Sequence, residues 1–270
     1  MQYIAEFYQE NPDNYSKELY ALETLRNQAL NTPKDNCALL KRYFCQLESL
    51  LNRFPKLRDK KVIFQFTWKE LYNNKVQEYN DIGYEQAAVL FNIAVAHTQA
   101  GAAVDRSDIE GMKLACTHFQ CAAWAFGEIR ERYINMDEFG DCFTTELLVF
   151  MQQVSFAQAQ ECILEKSLID NRKPNIVAKV TAQIVVYYGA ALAALLTGGD
   201  EGPVSQLVDT SVYKQWKRYV RFKISYLNCI LYLYQGQHAE EQRKMGERVT
   251  LYEVSFKHLK KYNFIFVYFE

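Results

Sequence analysis

Apolar residues recur every three or four positions along most of this 270-residue chain. Such spacing places them on one face of an α-helix. Glycine and proline, which interrupt helices, are scarce, with 11 and 5 residues. The pattern predicts a helix that begins near Pro12 to Asn14 and ends near Ala29. It then predicts seven further helices, at about 38–52, 84–101, 108–133, 143–170, 174–197, 209–235 and 237–252.

The spacing changes in the segment VIFQFTW, where Val62, Phe64, Phe66 and Trp68 alternate with the residues between them. Alternation of this kind predicts a short β-strand over 62–68. A single strand is not stable alone and needs a hydrogen-bonding partner. No second segment has a convincing strand pattern, so the sequence leaves this strand without an evident partner.

The predicted helix 84–101 is apolar on more than one side. Only four of its polar side chains are assigned to water: Glu85, Gln86, Asn92 and Gln99. A surface helix keeps a continuous polar face, so this helix is expected to be covered on two sides. Small residues recur on the inner faces of several helices: Ala87, Ala94, Ala115, Ala122, Ala157 and Ala159. Together these patterns predict a mainly all-α fold, a solenoid-like stack of antiparallel helices without a strict sequence repeat.

Charge and cysteine usage narrow the function classes. The net charge of -1 gives no general attraction to nucleic acid. None of the seven cysteines forms a C-x-x-C pair, and the first ten residues lack the apolar core of a secretory signal. We therefore expect reduced cysteines in the cytoplasm, and no metal ion or cofactor. No segment is expected to be long and apolar enough to span a bilayer.

The motifs of common enzyme classes do not occur in the sequence: it has no Gly-rich phosphate loop, no nucleophile elbow and no H-E-x-x-H pair. His118 lies between Cys116 and Cys121, and His97 lies on the preceding predicted helix. These side chains could converge on a ligand and form an enzyme site. Alternatively, both histidines are core residues with satisfied hydrogen bonds, which is the interpretation that the sequence favours.

Two segments carry more charge or more apolar surface than a buried helix needs. The segment KQWKRYVRFK places four cations along one helical face: Lys214, Lys217, Arg218 and Arg221. They form either a solvated face or a contact for anionic lipid. The segment NIVAKVTAQIVVYY has an apolar stripe at Ile176, Val177, Val180, Ile184 and Tyr187. The stripe is either core or an exposed groove for a partner helix, and periodicity alone does not decide between them.

Four strings together resemble the Bro domain of the Bro/Alix family: GYEQAAVLFNIAVAHTQAG, EGMKLACTHFQCAAWAF, AQAQECILEKSLIDNRK and EEQRKMGER. Within them, CTHFQCAA and QAQECILEKSLIDNRK are most similar to the Bro domain of a His-domain tyrosine phosphatase. The resemblance implies a curved, boomerang-like helical domain with a small sheet packed on it. It covers residues 1–252, which are interpreted as a Bro domain incomplete at both ends. Residues 253–270 are interpreted as a divergent aromatic tail.

The resemblance also implies a function. The chain is expected to be a non-catalytic adaptor, cytoplasmic and recruited to endosomes, without the phosphatase domain of that relative. The family binds a C-terminal amphipathic helix of the charged multivesicular body proteins, which are ESCRT-III subunits, in a concave hydrophobic patch. It thereby supports the sorting of ubiquitinated receptors into multivesicular bodies. The positions that match this patch are Ile109, Lys113, Ile163, Ile176 and Val180.

Other partners are expected with less support. Further endosomal sorting proteins are candidates from the resemblance, and an anionic membrane is a candidate from the basic segment, whereas the net charge argues against nucleic acid. The alternative function is a membrane-surface scaffold that acts through the basic helix and binds no ESCRT-III helix.

Overall fold

A computed structural model of the chain describes residues 2–31, 37–54, 65–69, 72, 76–133 and 143–267. Within these residues the helices are α1 (Gln2–Tyr8), α2 (Ser16–Asn31), α3 (Cys37–Arg53), α4 (Ile82–Ala103), α5 (Ile109–Arg132), α6 (Thr145–Ile169), α7 (Pro174–Leu196), α8 (Pro203–Leu207), α9 (Thr210–Glu241) and α10 (Met245–Val267). Two strands, β1 (Phe66–Lys69) and β2 (Val76–Tyr79), precede α4, and short 3₁₀ turns span Pro12–Tyr15 and Gly199–Glu201.

The helices form a stack in which each long helix packs against the next one. Contacts run from α2 to α3, α4, α5, α6 and α7 in turn, and then through α9 to α10. The six alanines predicted on inner faces are all buried, which lets neighbouring backbones approach closely. The predicted mainly all-α stack is therefore confirmed. One predicted boundary is wrong, because α9 continues past residue 235 to Glu241 and α10 begins only at Met245.

Helix α4 is covered on more sides than its sequence indicates. Glu85 and Gln86 were assigned to water, but their exposed fractions are 0% and 3%. Gln86 reaches Glu48 of α3, with Nε2 3.0 Å from Oε1. The expectation failed because a buried polar side chain is tolerated when it finds a partner, and the partner is distant in sequence.

The buried carboxylate of Glu85 joins four elements. Arg26 Nε of α2 donates to Oε1 at 2.7 Å, and Tyr43 OH of α3 donates to the same oxygen at 2.9 Å. Trp68 Nε1 of β1 donates to Oε2 at 2.6 Å. Proximity to this carboxylate adds to burial in raising the pKa of Tyr43. Glu85 thus fixes α2, α3 and the first strand against α4.

The strand at 66–69 has a partner, contrary to the expectation that none would be evident. β1 and β2 pair in an antiparallel hairpin in which Phe66 lies opposite Tyr79 and Lys69 opposite Val76. The segment VQEY has no apolar alternation, and Val76 is exposed. The pairing therefore rests on backbone hydrogen bonds and on the packing of Tyr79, which no sequence period reveals. Residues 62–64 of the predicted strand lie outside the described residues.

Helix α7 corrects a further expectation, that no segment is long and apolar enough to cross a bilayer. With 23 residues, Pro174–Leu196 meets that test of length and composition. In the fold it packs between α6 and α9. Val177, Ile184 and Tyr188 are almost fully buried there. The apolar character of α7 is thus used in part for core packing.

Helix α10 runs across residue 252, where the Bro-like part was expected to end, and continues to Val267. Its packing on α9 also extends past this position. Ser255 is buried and its Oγ donates to the carbonyl oxygen of Cys229 at 2.8 Å. The domain boundary at 252 and the separate status of 253–270 stay predictions.

Two glycines provide a matched test of the α9–α10 packing. A Cβ added at Gly236 in α9 would lie 2.4 Å from Cε1 of Tyr252, whereas one added at Gly189 in α7 would meet nothing within 4 Å. We expect Gly236→Ala to lower the free energy of unfolding by about 1–3 kcal/mol through overpacking. Gly189→Ala should raise it by about 0.5–1 kcal/mol, since alanine favours a helix interior. Urea titrations that shift both variants in the same direction would contradict this account of Gly236.

Candidate protein-interaction surface

Three helix ends meet at one end of the stack. α5 begins at Ile109, α6 ends at Ile169 and α7 begins at Pro174. α6 packs against both of the other helices. Because successive helices in the stack are antiparallel, the start of α5, the end of α6 and the start of α7 lie side by side. This end contains all five positions that match the family patch.

Local sequence fixes the start of α5. The Asp108 carboxylate caps the helix and accepts a hydrogen bond from the backbone N–H of Gly111 at 2.6 Å. A Cβ at Gly111 would lie 1.9 Å from the carbonyl oxygen of Asp105, so the preceding loop can fold back only onto a glycine. These contacts position Ile109 and Lys113 on the first turns of α5.

A tight turn joins α6 to α7. Asp170 ends α6 and accepts from Lys166 Nζ at 2.7 Å, which lowers the pKa of its carboxyl group. Asn171 then adopts a left-handed conformation with φ of 48°, and Pro174 stands in the first turn of α7. Asparagine tolerates this conformation better than most residues. The short turn holds the last turns of α6 beside the first turns of α7.

Three isoleucines at this end are exposed, although isoleucine is among the residue types most often buried. The exposed fractions are 39% for Ile109, 38% for Ile163 and 41% for Ile176. Val180 is half-buried. The neighbouring Val177, in contrast, is only 1% exposed and belongs to the core. The apolar stripe of α7 is therefore divided between core and surface.

The apolar surface continues along the line between α6 and α7. Phe156 of α6 stacks on Tyr187 of α7, with ring centroids 5.5 Å apart. Both are half-buried. Phe156 was missed by the sequence analysis, although it lies seven residues before Ile163, at the spacing of two helical turns. We name the row formed by Phe156, Ile163, Ile176, Val180 and Tyr187 the α6–α7 row.

One exposed ion pair lies beside Ile109, and a second ion pair lies on the opposite face of α6 from Ile163. Lys113 Nζ lies 2.7 Å from Glu110 Oε1, and both side chains are well exposed. Arg106 Nη1 lies 3.3 Å from Glu165 Oε1, which ties the loop before α5 to α6. Burial raises the pKa of Glu165, while the nearby Arg106 opposes the change. Charged groups at the edge of an apolar surface are typical of the polar rim of an interface.

A second set of polar contacts holds α6, α7 and α9 together behind the row. Lys223 Nζ of α9 donates to Glu161 Oε2 of α6 at 2.9 Å. Tyr188 OH of α7 donates to Glu161 Oε1 at 3.0 Å. Glu161 is mostly buried, and such pairs fix geometry more than they add stability. The α6–α7 row is therefore presented on a rigid support.

The two histidines considered as ligands contact each other. Nδ1 of His97 lies 2.9 Å from Nδ1 of His118, and Cys37 Sγ lies 3.5 Å from the other ring nitrogen of His97. The thiol and His118 thus approach opposite sides of one ring instead of a shared point. In the part of the chain that the structure describes, no group of three or more His, Cys, Asp or Glu side chains could hold a metal ion. The geometry agrees with the core interpretation of His97.

His97 gives a pH-dependent prediction. Burial, with help from nearby Lys41 and His118, lowers its pKa from 6.5 to about 4. Between these values the unfolded chain binds a proton that the folded chain does not, so stability falls as pH falls from 6.5 to 4. Between pH 7 and 5, we expect wild type to lose about 2 kcal/mol more unfolding free energy than His97→Gln. Urea titrations at both pH values measure these losses. If wild type and His97→Gln lose the same free energy of unfolding between pH 7 and pH 5, His97 does not have this role.

The four cations predicted on one helical face lie on α9 and away from the α6–α7 row. Lys214, Arg218 and Arg221 are exposed, and Lys217 is half-buried with its Nζ 5.7 Å from the centre of the Tyr213 ring. Trp216 anchors their helix, because its ring stacks on Phe150 of α6 with the ring centroids 5.0 Å apart. Aromatic packing therefore fixes this part of α9 against α6.

Comparison with known proteins assigns the fold. A profile of the BRO1-like domain matches residues 1–264. The chain belongs to the BRO1-like domain family. The predicted resemblance is thus confirmed, and the match extends past the expected boundary at 252.

Two curated relatives show the extent of the BRO1-like likeness. The human protein tyrosine-protein phosphatase non-receptor type 23 is 38% identical over 261 residues, which cover 96% of this chain and 16% of that protein. The vacuolar protein-sorting protein BRO1 of Gibberella zeae is 30% identical over 247 residues, which cover 90% of this chain and 24% of that protein. The BRO1-like chain therefore spans less than a quarter of the length of these two relatives.

A solved structure shows the same architecture. The BRO1 domain in an ALIX BRO1–CHMP4C complex superposes with a TM-score of 0.82 at 25% identity. The superposition covers 96% of this chain and 74% of that chain. The boomerang-shaped helical fold expected from the resemblance is the fold of this BRO1-like chain.

Proposed function

We propose that this chain is a non-catalytic adaptor of endosomal sorting that binds an amphipathic helix along the α6–α7 row. The observation that carries the proposal is the exposure of Ile163 and Ile176 beside the buried Val177. Exposed apolar side chains on adjacent helices, with charged residues at the edge, mark interaction sites on soluble domains.

A helix fits this surface better than an extended peptide does. The row lies between two helices and offers apolar contacts one turn apart, as between Ile176 and Val180. A partner helix presents anchors at the same i, i+4 and i+7 spacing. The exposed Lys113–Glu110 pair would lie along its polar edge.

The relatives suggest which helix is bound. One similar structure is an ALIX BRO1 domain in complex with CHMP4C, and one relative is called a vacuolar protein-sorting protein. These names support an ESCRT-III subunit as the partner, and the endosomal surface as the place of action. Sorting of ubiquitinated receptors into multivesicular bodies is the process that such an adaptor would serve.

The test is a titration of the C-terminal helix peptide of CHMP4C into the wild-type chain, followed by fluorescence anisotropy. The control peptide has the same composition in an order that destroys the amphipathic face. We expect saturable binding of the first peptide and no binding of the second. Equal binding of both would show that no specific helix is recognised.

A further inference from the structure

The outward face of α9 carries a cluster of positive charges that the proposed adaptor function does not use. The members are Lys214, Lys217, Arg218 and Arg221, which we call the α9 basic patch. Residues 214 to 221 span about 10 Å of helix. In the described part of the chain, none of the four makes an ion pair within 4.0 Å.

This lack of partners sets the α9 basic patch apart from many cations elsewhere in the described residues. Arg106, Lys166 and Arg248 each lie within 3.3 Å of a carboxylate oxygen. Asp200 is close enough to affect Tyr213, and Asp209 stands just before α9. Neither lies within 4.0 Å of a patch cation, on a chain whose overall charge is -1.

The apolar residues of this segment point inward. Trp216 packs on Phe150 and meets Tyr72 edge-on at 5.5 Å between ring centres. Val220 is fully buried. The exposed residues beside the cations are polar, namely Ser211 and Gln215. The basic face therefore provides charge without apolar anchors.

We propose that the α9 basic patch binds the surface of a membrane that contains anionic lipids. A peptide or protein partner gains most of its affinity from buried apolar or aromatic anchors, and this face offers none. An anionic lipid surface instead attracts unpaired Lys and Arg side chains through charge alone, and needs no groove. Each such cation near the surface strengthens binding about fivefold.

The position of the patch lets membrane binding and helix binding occur together. Tyr219 of α9 lies beside Tyr188 of α7, with the two hydroxyl oxygens 3.4 Å apart. The patch is therefore level with the second half of α7, while Ile176 and Val180 are in its first two turns. Ile176 and Val180 are therefore about 15 Å along α7 from the level of the patch, whereas Tyr187, at the far end of the row, lies at that level.

The experiment is co-sedimentation with vesicles of phosphatidylcholine that contain about 30% phosphatidylserine, at low salt. The test variant combines Lys214→Gln, Arg218→Gln and Arg221→Gln. The control variant removes the same total charge at exposed cations elsewhere, by Lys17→Gln, Arg42→Gln and Lys257→Gln. Circular dichroism on each protein confirms that it is folded.

We expect wild type and control to bind the anionic vesicles, and binding to weaken as salt is added. The test variant should bind about 100-fold more weakly and should still bind the CHMP4C peptide like wild type. Equal loss in both variants would overturn the proposal in favour of a net-charge effect. Failure of wild type to bind vesicles, together with patch-dependent binding of soluble polyglutamate, would overturn it in favour of an acidic protein partner.

Discussion

Replacing Glu85 by alanine is expected to destabilise the fold by about 3–5 kcal/mol. The substitution removes one partner of a buried ion pair and leaves Arg26 without its carboxylate. It also leaves the Tyr43 hydroxyl and the Trp68 indole N–H without their acceptor. An unsatisfied buried group costs its desolvation free energy. Urea titrations of wild type and Glu85→Ala measure the difference in the free energy of unfolding, provided that this free energy depends on urea concentration with the same slope in both proteins.

An exposed carboxylate provides the control for this prediction. Glu253 of α10 is exposed, so Glu253→Ala should change the free energy of unfolding by less than about 0.5 kcal/mol. If Glu85→Ala is no more destabilising than Glu253→Ala, the Glu85 contacts do not hold α2, α3 and β1 against α4.

Adjacent residues of α7 are expected to respond in opposite ways to the same substitution. Ile176→Asp should leave the domain folded and weaken binding of the CHMP4C helix by more than tenfold, because the carboxylate must lose water against an apolar partner. Val177→Asp should prevent stable folding, because it places a charge in the core between α6, α7 and α9. Circular dichroism and peptide titration on both variants separate the two effects.

Two results would contradict the division of α7 into surface and core. Loss of helical signal in Ile176→Asp would make Ile176 a core residue. Wild-type affinity in a folded Ile176→Asp variant would move the partner away from the α6–α7 row. A Lys179→Gln variant, at an exposed position of the same helix, controls for the loss of one unit of positive charge.

The helices could be predicted because their apolar periods are local. Leu90, Ile93 and Ala94 indicate a covered helix without knowledge of what covers it, and all three are buried in the fold. The resemblance then placed Ile163 and Ile176 in one patch, and the structure brings the ends of their helices together.

Features that depend on distant pairs could not be predicted. Glu85 looks like a solvent-facing residue until Arg26, 59 residues earlier, reaches it. Gly236 looks like a helix end until Tyr252 packs on it. Ile176 and Val177 belong to the same apolar stripe, and only the packing of α7 between α6 and α9 separates them. Phe156 was overlooked because its partner Tyr187 is on the next helix.

The most direct test of the central claim is site-specific photo-crosslinking to the CHMP4C helix peptide. Benzoylphenylalanine replaces Ile163 in the α6–α7 row, or Tyr20 on α2, which is exposed but separated from the row by α3, α4 and α5. The account predicts a crosslink from position 163, mapped by mass spectrometry to the apolar face of the peptide, and none from position 20. Equal crosslinking from both positions, or none from position 163 while the peptide still binds, would contradict it.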